Sequence, residues 1–222
     1  MPLSRRRFNQ TLLAALAGGA LPALPAAELL EGRDWRAITP PQPAESAHRI
    51  EVIEFFSYGC PHCRHLHPLV TAWAKHLPED VALIRVPVSF GRAAWASLVR
   101  LHFALELTGD LERLDEAVFE AIHAQRTKLF TKDQILAWVG RQGVDAKAFE
   151  DAFTSFVVQR RLARSDQLVR EYAVDAVPLI TVGGRYAVVG QAAKGYPDLL
   201  VIADGLIERA RRRRETTAGL DR

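Results

Sequence analysis

The sequence predicts an α/β fold in which a small sheet is interrupted by an all-helical insertion. Three observations predict it. A strand-like run, 50–56, leads into Cys60-Pro61-His62-Cys63 and a helix-like run beyond it. From Ala93 to Tyr172 the apolar residues recur at helical spacing and strand signals vanish. Strand signals return at Leu179–Val182 and Arg185–Val189, either side of Gly183-Gly184, a two-residue hairpin signature. The strands therefore come from two distant segments.

The length suits one large domain, or a domain with an insertion. Arg5, Arg6 and Arg7 account for all of the formal charge of +3. Without them the body is neutral, which gives no reason to expect nucleic acid as a partner. Residues 1–27 read as an export signal: a basic start, an apolar run from Thr11 to Leu21, then small residues and prolines. Ser4-Arg5-Arg6-Arg7-Phe8 is similar to a twin-arginine leader. Cleavage is expected near Ala26 or Ala27.

After the leader, 28–47 is rich in Pro, Ala and Glu and is expected to wrap the surface, with a short strand near Trp35. Ile50–Phe56 is dense in β-branched and aromatic residues and reads as a buried strand. Glu54 is its odd member, and a solvent-facing position is one of two readings open for it, since charged residues are seldom buried. Pro61 suits the first position of a helix, where a missing N–H costs nothing, and Pro68 is expected to kink that helix. Val81–Val88 reads as a second strand with Arg85 as its lone charge, and Pro87 places it at an edge.

Five helices are expected next. Ala93–Leu107 stops at Gly109. Asp110–Arg126 follows, with Leu111, Leu114, Val118, Phe119 and Ile122 on one side. Thr131 and Gln134 form a capping box for a helix that stops at Gly143. Asp145 caps the fourth, through Phe156, and the fifth spans Val157–Tyr172. An amphipathic helix from Tyr196 to Arg213 and a polar tail, 215–222, close the chain. The basic run Arg211–Arg214 reads as a solvated helix end, favoured there by the dipole.

Cys60 and Cys63 are the only cysteines. In an oxidising compartment their one possible internal bridge closes so short a loop that it stabilises little. Such a bridge makes better sense as chemistry than as a staple. A thiolate attacks disulfides and leaves well from them. Cys60 would lie at a helix N-terminus, where orphan N–H groups and the dipole favour negative charge, and His62 adds a donor or a positive charge. Cys63, one turn in, is shielded. The rival readings are a metal clamp and idle thiols. Structural zinc usually needs four chain ligands, and His65 and His67 point in different directions on a helix. His65, His67 and His76 read as a solvated helix face, and His102 and His123 as ordinary helix residues. Pro178 alone reads as a trans proline opening a strand.

Glu54-Phe55-Phe56-Ser57-Tyr58-Gly59-Cys60-Pro61-His62-Cys63 closely resembles the active-site segment of the DsbA family, periplasmic thiol:disulfide oxidoreductases with a thioredoxin fold and a helical insertion. Ser155-Phe156-Val157-Val158 and Val177-Pro178 look like that family too. The resemblance implies a thioredoxin-like domain over 28–91 and 174–214 with a helical insert over 92–173. It implies that Cys60, Pro61, His62 and Cys63 form the redox centre, that Pro178 is a cis-proline facing it, and that the Val177 backbone pairs with an extended substrate. It makes Glu54 a buried acid handling the proton of Cys63, with Arg85 its basic partner. Tyr58-Gly59 departs from the more aromatic family pattern and is expected to flatten the surface around the disulfide. No cofactor beyond the Cys60–Cys63 disulfide is implied. The expected partners are reduced exported proteins and a DsbB-like, quinone-linked membrane reoxidant, with the protein a periplasmic monomer. A reductase or isomerase is the alternative within the class, and a periplasmic metal-binding protein the alternative outside it.

Overall fold

The computed structural model describes residues 28–44, 46 and 48–220, with the side chains of 218–220 excepted. The predicted leader and its cleavage site lie outside the described residues. Five strands form one mixed sheet: β1 (Trp35–Ala37), β2 (Ile50–Phe56), β3 (Val81–Pro87), β4 (Leu179–Val182) and β5 (Tyr186–Val188). The order across it is β1-β5-β4-β2-β3. Only β2 and β3 are parallel. Their crossover is α1 (Pro61–Ala74), as a parallel pair requires.

Every residue of β2 is buried, Glu51 and Glu54 included. Paired on both edges and covered on both faces, it has no solvent side. Of the two readings of Glu54, the solvent-facing one fails and the buried acid agrees with its burial. Alternation along β2 sorts its side chains. Ile50 and Val52 pack with Leu66 and Val70 of α1 and with Leu206 and Ile207 of α7 (Tyr196–Leu220). Ile53 and Phe55 pack on the other face with Tyr172 and Val174. Glu54 shares the α1 face.

Between β3 and β4 lie α2 (Ala93–Thr108), α3 (Leu111–His123), α4 (Lys132–Arg141), α5 (Ala146–Thr154) and α6 (Phe156–Glu171). Their boundaries follow local chemistry. Gly109 ends α2 at φ 78°, where a left-handed residue satisfies the last carbonyls. Thr131 caps α4, while the Gln134 side chain accepts from the Phe130 amide. The reciprocal bond thus falls one residue earlier than in the expected capping box. The fourth helix stops at Thr154, not Phe156. Ser155 is extended, and its hydroxyl accepts the Val158 N–H at 3.2 Å, starting α6.

The last helix also outruns its expected end. Thr216 and Thr217 hydroxyls bond back to the Arg212 and Arg213 carbonyls, so the expected polar tail is helical as far as Leu220. The basic run is therefore mid-helix. Arg211 grips Asp80 through Nε and Nη2 at 2.8 and 2.9 Å, and Arg214 donates to the Arg49 carbonyl at 2.6 Å. These contacts dock α7 against the starts of β2 and β3. The expected solvated helix end is corrected for these two side chains.

Gly183 and Gly184 turn the β4–β5 hairpin at φ 59° and 65°, the mirror-image turn that matches strand twist. They are not equivalent. A Cβ on Gly183 would meet Ala210 at an ordinary 3.5 Å, whereas on Gly184 it would fall 2.1 Å from the Gln42 carbonyl oxygen. That carbonyl belongs to the N-terminal segment, whose Gln42 amide donates to the Gly184 carbonyl at 2.8 Å. Gly183→Ala should cost about 1 kcal/mol for the left-handed backbone. Gly184→Ala should cost clearly more, because the clash is with backbone. Urea unfolding of both variants checks the order.

Candidate active site

The chain leaves β2 through Ser57-Tyr58-Gly59 and enters α1 with Cys60 at its N-cap and Pro61 as first helical residue. Cys60 and Cys63 are both free thiols. Cys60 retains 7% exposure and Cys63 none, so only Cys60 can meet a macromolecular substrate. The Cys60 thiol is pulled down to about 6. The largest cause is the hydrogen bond from the Cys63 thiol, opposed by partial burial. The backbone amides of Cys63 and His62 and the His62 charge add to the lowering. The helix start therefore acts as expected, but second to the partner cysteine. Cys63 is pushed far up by burial first, then by donating to Cys60. The charge of Glu54 pushes the same way.

His62 is exposed, and its Nδ1 lies 2.8 Å from the Tyr196 hydroxyl at the start of α7. The Val177–Pro178 bond is cis, as is Thr39–Pro40. The Val177 carbonyl oxygen lies 3.4 Å from Cys60 Sγ. The hairpin segment thus stands beside the nucleophile although 117 residues separate them in sequence.

Beneath the pair lies a buried ionic cluster. Parallel register sets Arg85 directly beside Glu54, and Arg85 Nε donates to Glu54 Oε2 at 2.7 Å. Arg85 Nη1 donates to Asp115 Oδ2, and the Tyr58 hydroxyl donates to Asp115 Oδ1. The guanidinium also sits 4.2 Å over the Phe56 ring. Burial disfavours charge on both Asp115 and Arg85, but the attraction of Arg85 outweighs it for Asp115, and the attractions of Glu54 and then Asp115 outweigh it for Arg85. Asp115 is held below, and Arg85 above, its ordinary value. Burial drives His102 down to about 3, and lowers His67 too. Tyr58 has one hydroxyl proton, which it gives to the Asp115 carboxylate. It must therefore accept from His102 Nδ1–H, 3.1 Å away, which fixes that neutral imidazole's tautomer.

Three functional positions escaped the reading of the sequence. Asp115, Phe119 and His123 form one stripe of α3 at intervals of four. Phe119 packs on Tyr58 at 4.8 Å and on His67 at 5.0 Å, and His123 Nε2 donates to the Tyr58 carbonyl at 2.8 Å. The helical spacing was legible, but nothing local marked this stripe as facing the motif. His67 and His102 are buried, so the expected solvated face fails for His67. Tyr58 is buried, and the place of a Gly59 side chain is filled by Trp95, whose Nε1 would stand 2.8 Å from a Cβ. Among the described residues, no group of three or more His, Cys, Asp or Glu is placed to hold a metal ion.

Residues 51–194 match the family model of the DSBA-like thioredoxin domain. The chain belongs to the DsbA family. It is 38% identical to the thiol:disulfide interchange protein DsbA of Bordetella pertussis, across 92% of this chain and 98% of that one. To the Pseudomonas aeruginosa DsbA it is 34% identical, across 91% and 97%. The crystal structure of Pseudomonas aeruginosa DsbA superposes with a TM-score of 0.80 at 33% identity, covering 84% of this chain and 97% of that one. The fold is thus the thioredoxin-like DsbA fold, with its helical region between β3 and β4.

Titration of the reduced protein should show one thiolate forming near pH 6, lost in Cys60→Ser, and none from Cys63 in the same range. Because the folded Cys60 value lies below the ordinary 9.0, its ionisation stabilises the reduced form fully above pH 9. That contribution shrinks as pH falls and is gone below about 6. The difference in unfolding free energy between reduced and oxidised protein should therefore move against the reduced form from pH 9 to pH 6. Paired chemical denaturation checks it.

Proposed function

We propose that this DsbA-family chain is a thiol:disulfide oxidoreductase that donates its Cys60–Cys63 disulfide to reduced cysteines of exported proteins. The observation that carries this reading is the asymmetry of the pair. Cys60 is slightly exposed and ionises near neutrality, whereas Cys63 is buried and resists ionisation. A stabilised Cys60 thiolate favours the reduced form, which makes the disulfide an oxidant.

A substrate thiolate attacks Cys60 Sγ and the Cys60–Cys63 bond breaks. Cys63 leaves with the electron pair and takes up a proton. Glu54 is the acid nearest in role. Its Oε1 is buried and has no partner among the described residues, and its charge acts on Cys63. A second substrate thiol then loses its proton and attacks the substrate sulfur of the mixed disulfide. Cys60 leaves as its stabilised thiolate. Two electrons have passed to the protein. His62 supports that thiolate, Pro61 starts the helix that presents it, and the Val177 backbone beside Pro178 receives an extended substrate segment by strand addition.

The leader-like start of the sequence supports a periplasmic location, where oxidised products persist. No helix among the described residues is long and apolar enough to cross a membrane. Return to the disulfide form requires a two-electron acceptor, for which a DsbB-like membrane protein is the proposed source, with the present protein acting as a monomer.

Equilibration with glutathione tests the reading. The protein should be reduced preferentially, and an equilibrium as reducing as that of a cytosolic thioredoxin would overturn it. Cys60→Ser should abolish oxidation of a reduced model protein. Cys63→Ser, given oxidised glutathione, should instead accumulate the mixed disulfide of Cys60 with glutathione, one glutathione thiol being released, seen as a mass increase that a reductant reverses.

A further inference from the structure

We propose that Asp115 is a positioning residue through which the helical insertion sets the redox poise of the Cys60–Cys63 pair. This rests on the disulfide-exchange reading above. It adds a residue that lies outside the sheet, outside the Cys60–Cys63 motif and outside the hairpin.

Asp115 is held from two sides. Its Oδ1 takes the Tyr58 hydroxyl, two residues before Cys60, and its Oδ2 takes Nη1 of Arg85. A guanidinium is a planar fork that matches one carboxylate with two parallel bonds. Here it does not do so. Arg85 gives Nε to Glu54 and Nη1 to Asp115, while Nη2 is buried without a partner among the described residues. Glu54 consequently keeps one bonded oxygen and one open oxygen, Oε1. By holding Nη1, Asp115 keeps the fork from closing on Glu54 and occupying Oε1.

The same arrangement has an electrostatic consequence. The titratable groups around Asp115 are Glu54 and Arg85 from the sheet, Tyr58 from the loop, His67 from α1, His102 from α2 and Glu116 beside it. His67 and His102 are driven toward neutrality by burial, and burial keeps Tyr58 protonated. Arg85 is left as the compensating cation for two carboxylates. One negative charge of the cluster is therefore not cancelled within it. The reduced pair carries a thiolate at Cys60 and the disulfide carries no charge. A negative charge below the pair raises the reduced form more than the oxidised form. Asp115 thus makes the disulfide a weaker oxidant than the motif and helix start would make it alone.

Neutralising Asp115 should have the opposite effect. The measured reaction is balanced: two glutathione thiols reduce the protein disulfide to two thiols and form one oxidised glutathione. Asp115→Asn should shift this equilibrium toward reduced protein by about threefold, the order expected for one unit charge removed at intermediate range. The thiolate midpoint of Cys60 should fall in parallel. Asp115→Glu, which keeps the charge, should stay near the wild type. Asp115→Ser makes the same charge change with a smaller group and carries the same expectation if Asp115→Asn does not fold. A purely structural role would lower the stability of oxidised and reduced protein alike and leave the equilibrium unmoved. That result, or an Asp115→Glu shift as large as that of Asp115→Asn, overturns the proposal. A wild-type equilibrium that proves reducing would overturn the disulfide-donor reading, and the ratio between variant and wild type would still decide the role of Asp115.

Discussion

The guanidinium of Arg85, shared between Glu54 and Asp115, is the constraint on which the rest of the site depends. Two carboxylates cannot be buried together without a compensating cation, because desolvation costs several kcal/mol per ion, order of magnitude. Arg85 supplies it from the edge strand β3, in register with Glu54 on the central strand. Asp115 brings the third member from the helical insertion. Sheet, motif and insertion therefore share one buried cluster, and no one of them forms it alone. The cost of breaking such a cluster, about 3–5 kcal/mol when one partner is removed, ties α3 to the underside of α1 more firmly than apolar contact would.

That tie explains why the loop before Cys60 is well held. Tyr58 is gripped at its hydroxyl by Asp115, at its carbonyl by His123 and at its ring by Phe119, all from α3. Arg64, one residue after Cys63, meets Glu120 of the same helix at 2.8 Å. Gly59 lies against Trp95 of α2, where no side chain has room. The insertion thus fixes the backbone on both sides of the cysteines. A fixed N-cap matters chemically, because amide donors stabilise a thiolate only when aimed at it.

Much of this was legible in the sequence, and the remainder was not for a definite reason. Local chemistry marks its own place. Gly109, Thr131, Asp145 and Gly183-Gly184 all end or start elements where a turn or cap requires them. The sole CxxC and the family resemblance pointed to Glu54, Arg85 and Pro178. What failed was any judgement that depended on which helix face meets which neighbour. Glu54 alone looks solvent-facing, because alternation cannot reveal that both faces of β2 are covered. His67 looks like one histidine on a polar helix face, yet it is buried against Phe119 and lies 3.7 Å from Asp115. Asp115 itself reads as one more acid on an amphipathic helix. Its role is a product of tertiary register, which periodicity does not carry.

The direction of electron flow follows from an asymmetry that one turn of helix creates. Cys60 and Cys63 are identical side chains three residues apart. The first sits where amides are unpaired and solvent is near, and the second where the helix is closed and Glu54 lies below. In the dithiol, one proton is enough for the pair: Cys63 keeps it and donates to Cys60, lowering one thiol and raising the other together. Oxidation to the disulfide dissolves this arrangement, since neither sulfur then carries charge or proton. The energy released when substrate restores it drives disulfide donation, and each charge buried below the pair adds to or subtracts from that energy. The motif therefore sets the sign and most of the size of the reaction, and the ionic cluster beneath it adjusts that size.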